Sequence, residues 1–249
     1  MKTSLKSLNK LEGLLHALLE LGTDAQQNIS LLVRSCGELL DADACLYNRI
    51  EGELISTIAG WRIPPRFKNI DRAKGHLCYN VVKRNQPDKI LLIKNLPHTS
   101  YYKTDLNIRT YGLKTYAGFP VSYAGKIRGA LCVVYKKNVD LTKEEILIME
   151  LIATFIGIEE DRRILNAQLY KRIEFEKLIS QLSSHFINLS FNQTDKAINT
   201  ALKEIGEFCD VDRSYIFLTY ERGKKVRNTH EWCAEGISPS IDKLQEVEV

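Results

Sequence analysis

The chain has 249 residues, of which 44% are hydrophobic and 27% charged, a composition typical of a soluble globular protein with more than one domain. Its net charge of +4 is spread along the sequence, which argues against a nucleic-acid-binding surface. No apolar run approaches the roughly 18 residues that a membrane span needs, and the N-terminus has no signal-peptide pattern. The six cysteines form no CxxC pair. We therefore expect a cytoplasmic protein with reduced thiols and with no nucleic-acid or membrane partner.

The first part of the sequence predicts two helices followed by a β-hairpin. The helices are expected at residues 4–21 and 24–40. Two apolar, partly alternating runs follow at residues 44–50 and 54–59, and Glu-Gly-Glu at residues 51–53 has the composition of a hairpin turn.

The middle of the sequence is less regular and is rich in aromatic residues. Residues 61–73 hold a Pro-Pro pair and scattered charges, and residues 95–106 form a polar, aromatic loop. Short elements are expected through this region: a helix at 75–82, strands at 89–93, 115–121 and 128–135, and a helical turn at 108–113. This order predicts an α+β fold with mostly antiparallel strands.

A long helix is predicted from about Thr142 to Leu189. The stretch contains no proline and one glycine, Gly157, and its length at 1.5 Å per residue is roughly 70 Å. Beyond that glycine, residues recur at steps of seven and are apolar apart from one arginine: Ile158, Leu165, Arg172, Ile179 and Phe186. This spacing predicts a parallel coiled coil and therefore a homodimer.

The sequence contains an internal repeat. It reads Gly-Glu-Leu-Leu-Asp-Ala-Asp from Gly37 and Gly-Glu-Phe-Cys-Asp-Val-Asp from Gly206. Each copy follows an amphipathic helix and precedes a pair of strands and a tryptophan, Trp61 or Trp232, which predicts a duplication. The second copy, from near Thr194, holds only about 55 residues, too few for an independent core. We therefore expect the chain to be a fragment of a longer protein.

The chain resembles the GAF family from about Asp24 to Asp161. The likeness lies in the helix that ends Gly-Glu-Leu-Leu-Asp-Ala-Asp-Ala, in the Gly75 helix closed by Asn-Gln-Pro, and in Tyr-Ala-Gly-Phe-Pro-Val leading to Gly-Ala-Leu-Cys-Val-Val. Leu-Thr-Lys-Glu-Glu then opens the terminal helix. The second copy resembles GAF domains of bacterial and archaeal sensor proteins through Val-Asp-Arg-Ser-Tyr-Ile-Phe from Val211. Such proteins join GAF domains to histidine kinase or diguanylate cyclase outputs, as in two-component systems.

The resemblance implies a GAF-like antiparallel sheet flanked by helices, a long connector helix and part of a second GAF domain. We accordingly expect an N-terminal helix at residues 1–22, a GAF domain at 23–157 and a coiled-coil connector at 158–193. Residues 194–249 would be the N-terminal part of a second, truncated GAF domain.

The resemblance also implies a ligand pocket on one face of the sheet, beneath the least regular segments. The candidate pocket residues are Trp61, Cys78, Tyr101, Tyr102 and Tyr116. Two interpretations of these aromatic side chains stay open, since they could contact a ligand or could fill the cavity themselves. No catalytic or metal-binding residues are predicted.

Cys78 raises the question of a cofactor. Related domains attach bilins through a cysteine near this helix, and some bind haem, but those bilin sites commonly carry a histidine directly after the cysteine. Tyr79 follows Cys78 here. His76 precedes the cysteine by two residues and would face another direction on a helix. A methionine sulfoxide reductase of the GAF type would need more clustered thiols than Cys78 and Cys132.

We interpret the chain as a non-catalytic sensory input module of a signal-transduction protein. It is expected to bind a small ligand without a cofactor and to relay the signal through a dimeric helix. The alternative is a redox sensor or photosensor that holds haem or bilin at Cys78.

Overall fold

The computed structural model describes residues 2–65, 67–187 and 189–248. The chain divides into two compact units, one up to Leu165 and one from Asn166 onward. None of the helices in these described ranges is both long and apolar enough to cross a membrane.

The first unit alternates helices and strands. Its elements are α1 (Lys2–Leu19), α2 (Ala25–Leu39), β1 (Ala44–Glu51), β2 (Leu54–Trp61), β3 (Ile70–Arg72), α3 (Leu77–Lys83), β4 (Leu91–Ile93), α4 (Tyr101–Thr104), α5 (Leu106–Tyr111), β5 (Thr115–Tyr123), β6 (Lys126–Tyr135) and the start of α6 (Lys143–Ile187). The strands form one antiparallel sheet in the order β3-β2-β1-β6-β5-β4. The predicted α+β fold with an antiparallel sheet is confirmed.

Strand β3 lies in the segment that the sequence analysis treated as irregular. It has three residues, Ile-Asp-Arg, and pairs only with β2 at the edge of the sheet. A strand this short is too brief to show an alternating pattern, and its charged residues suit an exposed edge.

One face of the sheet is covered by helix α2 and the first turns of α6, and α1 packs on α2. Helix α2 begins where the Asp24 carboxylate accepts a hydrogen bond from the Gln27 amide at 2.8 Å. Its apolar side is fully buried against the sheet, together with residues of α6 such as Ile152 and Ile156. The two helices and the sheet therefore share one hydrophobic core.

Helix α6 begins with a capping box. The Thr142 hydroxyl accepts from the Glu145 amide at 3.2 Å, and the Glu145 carboxylate accepts from the Thr142 amide at 2.8 Å. The helix then runs for 45 residues, close to the predicted bounds. Gly157 brings it against β5, since a Cβ there would lie 2.3 Å from the carbonyl oxygen of Ser122.

A buried carboxylate joins α6 to β1. The Glu160 side chain is fully buried and accepts hydrogen bonds from Tyr47 Oη at 2.9 Å and from Arg49 Nη2 at 2.6 Å. Arg163, one turn later on α6, pairs with the other oxygen at 3.0 Å. Burial and the neighbouring Glu160 raise the pKa of Tyr47, so its hydroxyl stays protonated and remains a donor.

The second unit contains the end of α6, then α7 (Thr194–Cys209), β7 (Arg213–Tyr220), β8 (Lys225–Cys233) and β9 (Val247–Glu248). The three strands form a separate antiparallel sheet in the order β7-β8-β9. Leu178 and Leu182 of α6 pack against Ala201 of α7, with Phe208 beside them.

The two units share local geometry at corresponding places. A Cβ on Gly37 would lie 2.3 Å from the Trp61 ring, and a Cβ on Gly206 would lie 2.3 Å from the Trp232 ring. In each unit the aspartate four residues after that glycine has a left-handed backbone. The register of each hairpin also shifts ten residues after the glycine. These matches coincide with the sequence repeat.

Candidate functional site

A cavity of about 550 Å³ lies on the face of the first sheet away from α1, α2 and α6. Its floor is formed by β1, β2, β5 and β6, and its cover by α3, α5 and the segment around β3. The volume is within the range of small-molecule sites. Apolar side chains make much of its wall: Ala44, Leu46, Ile55, Leu77, Ile108, Leu113 and Val134.

A small polar cluster interrupts this apolar wall. Cys78 of α3 and Cys132 of β6 lie with their sulfur atoms 3.6 Å apart. Asn48 donates its side-chain amide to Cys78 Sγ at 3.2 Å, and Tyr116 donates its hydroxyl to the same sulfur at 3.3 Å. Thr57 donates to Asn48 Oδ1 at 2.6 Å and so fixes the orientation of that amide.

These contacts affect the two thiols in opposite ways. The hydrogen bond to Cys132, with those from Tyr116 and Asn48, lowers the pKa of the Cys78 thiol despite its burial. The hydrogen bond to Cys78 and burial raise the pKa of Cys132 well above its usual value. Burial and the nearby Cys78 likewise raise the pKa of Tyr116. Cys78 is therefore the thiol of the pair that ionises more readily.

Asp105 connects the two helices that cover the cavity. Its carboxylate is buried and accepts from the Leu77 amide and from the Asn107 amide, each at 3.1 Å, so it caps α5 and binds the start of α3. His76 Nδ1 lies 3.5 Å from Asp105 Oδ1. The hydrogen bond to Asp105 raises the pKa of His76.

The charges around the cavity are mainly positive. Among the described lining residues, five are basic and three are acidic: Arg62, Lys68, Arg72, Lys74 and Lys136, with Asp43, Asp71 and Asp105. The acidic groups are partly engaged, since Asp43 accepts from the Lys136 backbone amide and Asp105 binds the two helix amides. The remaining positive potential favours a negatively charged ligand.

The structure places only part of the predicted site at this cavity. Cys78 and Tyr116 line it and contact each other. Tyr101 is half-buried in the apolar cluster around the cavity, whereas Tyr102 is 38% exposed beneath the Arg109 guanidinium. Whether any of these residues contacts a ligand stays a prediction.

Trp61 lies on the opposite face of the sheet, against Gly37 of α2. Regular alternation along β2 would have placed it on the same face as Ile55 and Thr57, which line the cavity. The pairing skips Ile58, because Tyr47 of β1 pairs with Ala59 and the next β1 residue pairs with Thr57. This β-bulge turns the rest of β2 over.

Asn48, Thr57 and Asp105 were not among the site residues predicted from the sequence. Asn48 and Thr57 are polar residues in partly apolar strands, and their polarity was the available signal. Asp105 was hidden in a polar loop. Within residues 2–65, 67–187 and 189–248, no group of three or more His, Cys, Asp or Glu side chains could hold a metal ion.

The family model of the GAF domain matches residues 24–159. The chain belongs to the GAF family. GAF domains are sensory modules that are generally regulatory rather than catalytic, and the prediction of such a module is confirmed at that level. Among curated proteins, none matches the chain.

Several solved structures share the fold. A bacteriophytochrome from R. palustris superposes with a TM-score of 0.63 at 8% identity, covering 98% of this chain and 52% of that one. The GAF domain of a phosphoenolpyruvate-protein phosphotransferase from Coxiella burnetii gives 0.57 at 18% identity, with 65% and 98% covered. The phycoerythrobilin-bound GAF domain of a cyanobacterial phytochrome gives 0.51 at 12% identity, with 66% and 99% covered. At these identities the likeness shows the fold alone.

Proposed function

We propose that this GAF protein is a non-catalytic sensory input module that binds a small molecule in its cavity and relays binding through α6. The observation that carries the proposal is the cavity of about 550 Å³ between the sheet and helices α3 and α5. Its apolar wall with a few convergent polar groups is the usual form of a small-molecule site. The excess of basic groups supports an anionic ligand with an apolar body.

Helix α6 supplies a route for the signal. It packs on the sheet face opposite the cavity, and Glu160 ties it to β1, the strand that contributes Asn48 to the cavity floor. A ligand that shifts β1 therefore acts on the segment that holds α6. This connection supports a relay from the cavity to the helix.

Dimerisation through α6 is the second part of the proposal. Apolar side chains at the predicted seven-residue spacing are exposed, including Ile158 at 53% and Leu165 at 62%. Ile179 and Phe186 continue the row, and Leu169 adds to it four residues after Leu165. Because the stripe is apolar apart from Arg172, a parallel second copy of the same helix would cover most of it. Each fully buried side chain of this kind would contribute roughly 1.5–3 kcal/mol.

The second unit is proposed to be the start of another GAF domain. The shared glycine–tryptophan contacts, left-handed aspartates and hairpin register shifts support a duplication. A cytoplasmic sensor with tandem GAF domains would act on an output such as a histidine kinase or a diguanylate cyclase.

Thermal unfolding with a panel of compounds tests ligand binding. The panel should contain nucleotides, aliphatic and aromatic carboxylic acids, biliverdin and haemin, with neutral analogues of the acids for comparison. Ala44→Leu places a leucine side chain in the cavity wall, whereas Thr154→Leu places a leucine side chain on the exposed side of α6. At least one anionic compound should stabilise the wild type and Thr154→Leu but not Ala44→Leu. Equal stabilisation of all three proteins would contradict binding in the cavity.

The alternative, a haem or bilin sensor, is favoured by one observation, the position of Cys78 in the cavity wall. Incubation with biliverdin or haemin followed by denaturing gel filtration distinguishes this alternative from the cofactor-free proposal. Visible absorbance that stays with the wild-type chain but not with Cys78→Ala would establish covalent attachment. Absence of colour in both proteins leaves the cofactor-free proposal in place.

A further inference from the structure

Two cysteines that are far apart in the sequence meet at the cavity. Cys78 and Cys132 are separated by 54 positions, and their sulfur atoms lie 3.6 Å apart. All six cysteines are reduced in the structure. Cys36 and Cys45 also contact each other, but they lie in the core on the opposite face of the sheet, away from the cavity.

The surroundings of Cys78 stabilise a negatively charged sulfur. Asn48 and Tyr116 both point hydrogen-bond donors at Sγ, at 3.2 and 3.3 Å, and the Cys132 thiol supplies a third contact. A thiolate is the nucleophilic form of cysteine, and neighbouring donors increase its population. Tyr116 and Asn48 are held by the sheet, so this arrangement exists before any reagent arrives.

We propose that Cys78 and Cys132 form a peroxide-reactive dithiol, which closes to a disulfide when a hydroperoxide enters the cavity. The inference rests on the cavity described above but not on the binding of another ligand.

The chemistry balances with hydrogen peroxide as the oxidant. The Cys78 thiolate attacks one peroxide oxygen, the O–O bond breaks, and the products are a Cys78 sulfenic acid and hydroxide. The Cys132 sulfur then attacks Cys78 Sγ and displaces the hydroxyl group, which leaves as water once the thiol proton is transferred. The hydroxide takes up the proton that Cys78 released when it ionised, so the pair loses two electrons and two protons overall and peroxide becomes two waters.

Closure requires the two sulfur atoms to approach each other. A disulfide has its sulfurs about 2.0 Å apart, so the two atoms must approach by about 1.6 Å. Cys78 would leave its hydrogen bonds with Asn48 and Tyr116, and α3 would become covalently tied to β6. Oxidation would therefore alter both the cover and the floor of the cavity.

Peptide mapping tests the proposal directly. The native full chain is treated with hydrogen peroxide and then denatured in the presence of N-ethylmaleimide, which alkylates the free thiols. The protein is digested with trypsin and analysed by mass spectrometry. The expected product joins residues 75–83 to residues 129–136, with the number of free thiols falling from six to four, and dithiothreitol should reverse it. Residues 35–49 contain both Cys36 and Cys45 and should remain fully alkylated, which provides an internal control.

Two variants sharpen the result. Cys132→Ala removes the resolving thiol and should leave Cys78 as a sulfenic acid that dimedone captures. Cys209→Ser changes an exposed cysteine of α7 and should leave the 78–132 link unchanged. The proposal is overturned if Cys78 and Cys132 stay alkylatable while Cys209 oxidises. It is equally overturned if Cys36 and Cys45 oxidise as fast as the pair, or if Cys78 proceeds to sulfinic acid without a link. The peptide map of the wild type tests for the disulfide between Cys78 and Cys132 even if Cys132→Ala fails to fold.

Discussion

Replacing Glu160 with alanine should strongly destabilise the first unit. The substitution removes a fully buried carboxylate that accepts from Tyr47 and from Arg49, whose side chain is only 14% exposed. The Tyr47 hydroxyl loses its acceptor, and Arg49 is left with the more distant Glu51 at 3.7 Å. Removing one member of a buried ion pair costs about 3–5 kcal/mol because it leaves the other charge uncompensated.

The expected loss of stability comes mainly from the buried pair of Glu160 and Arg49. Arg163 is 43% exposed, so its contact with Glu160 adds little. A loss of about 4 kcal/mol in a unit of this size should lower the melting temperature by about 10 °C. Glu160→Gln, which keeps an oxygen acceptor for Tyr47 but loses the charge, should fall between wild type and Glu160→Ala.

Tryptophan fluorescence can isolate the first unit. The chain has two tryptophans, and in a Trp232→Phe background Trp61 alone reports unfolding. Glu38→Ala is the matched control because it breaks an exposed ion pair with Arg34 on α2, where little effect is expected. If Glu160→Ala has the same melting temperature as Glu38→Ala and wild type, the buried cluster does not hold α6 on the sheet. The proposed relay would then lose its mechanical basis.

Three further predictions concern packing, pH and assembly. Gly37→Ala should destabilise the first unit by roughly 1–3 kcal/mol and shift its tryptophan emission, since the new methyl meets the indole; unchanged stability and emission would contradict this packing. His76 is stabilised in its protonated form by Asp105, so this contribution is complete below the ordinary histidine pKa and is lost as pH rises through the raised value. Denaturant titrations should therefore show wild type losing stability relative to His76→Gln above about pH 6.5, and parallel curves would refute the pairing. Leu165→Asp with Ile179→Asp should convert a dimer into a monomer in sedimentation velocity, whereas a monomeric wild type at high micromolar concentration would disprove the coiled coil.

The regular parts of the first unit could be predicted because their patterns are local. Neighbouring residues in the sequence indicate the apolar spacing of α2, the β1–β2 hairpin and the long proline-free α6. The GAF resemblance then implied an antiparallel sheet flanked by helices, whereas the strand order β3-β2-β1-β6-β5-β4 came only from the structure. Strand β3 was missed because its three residues form a strand only through pairing with β2.

The candidate site was less accessible to sequence reasoning because tertiary structure creates it. The bulge at Ile58 moved Trp61 to the helical face, and no residue type marks that bulge in the sequence. The approach of Cys78 to Cys132 depends on α3 crossing β6. Cys78 was predicted as a pocket residue, whereas Cys132 lies in an apolar strand like any small buried residue, and the sequence does not show that the two meet.

Hydrogen–deuterium exchange tests the sensory relay most directly. The compound that most stabilises the wild type in the thermal panel is added to the wild type, Ala44→Leu and Thr154→Leu. The account predicts altered exchange both around α3 and α5 and along residues 158–187 of α6, in the wild type and Thr154→Leu but not in Ala44→Leu. Exchange that changes only at the cavity, with α6 unaffected by a saturating ligand, would contradict the central claim that binding is transmitted to the helix.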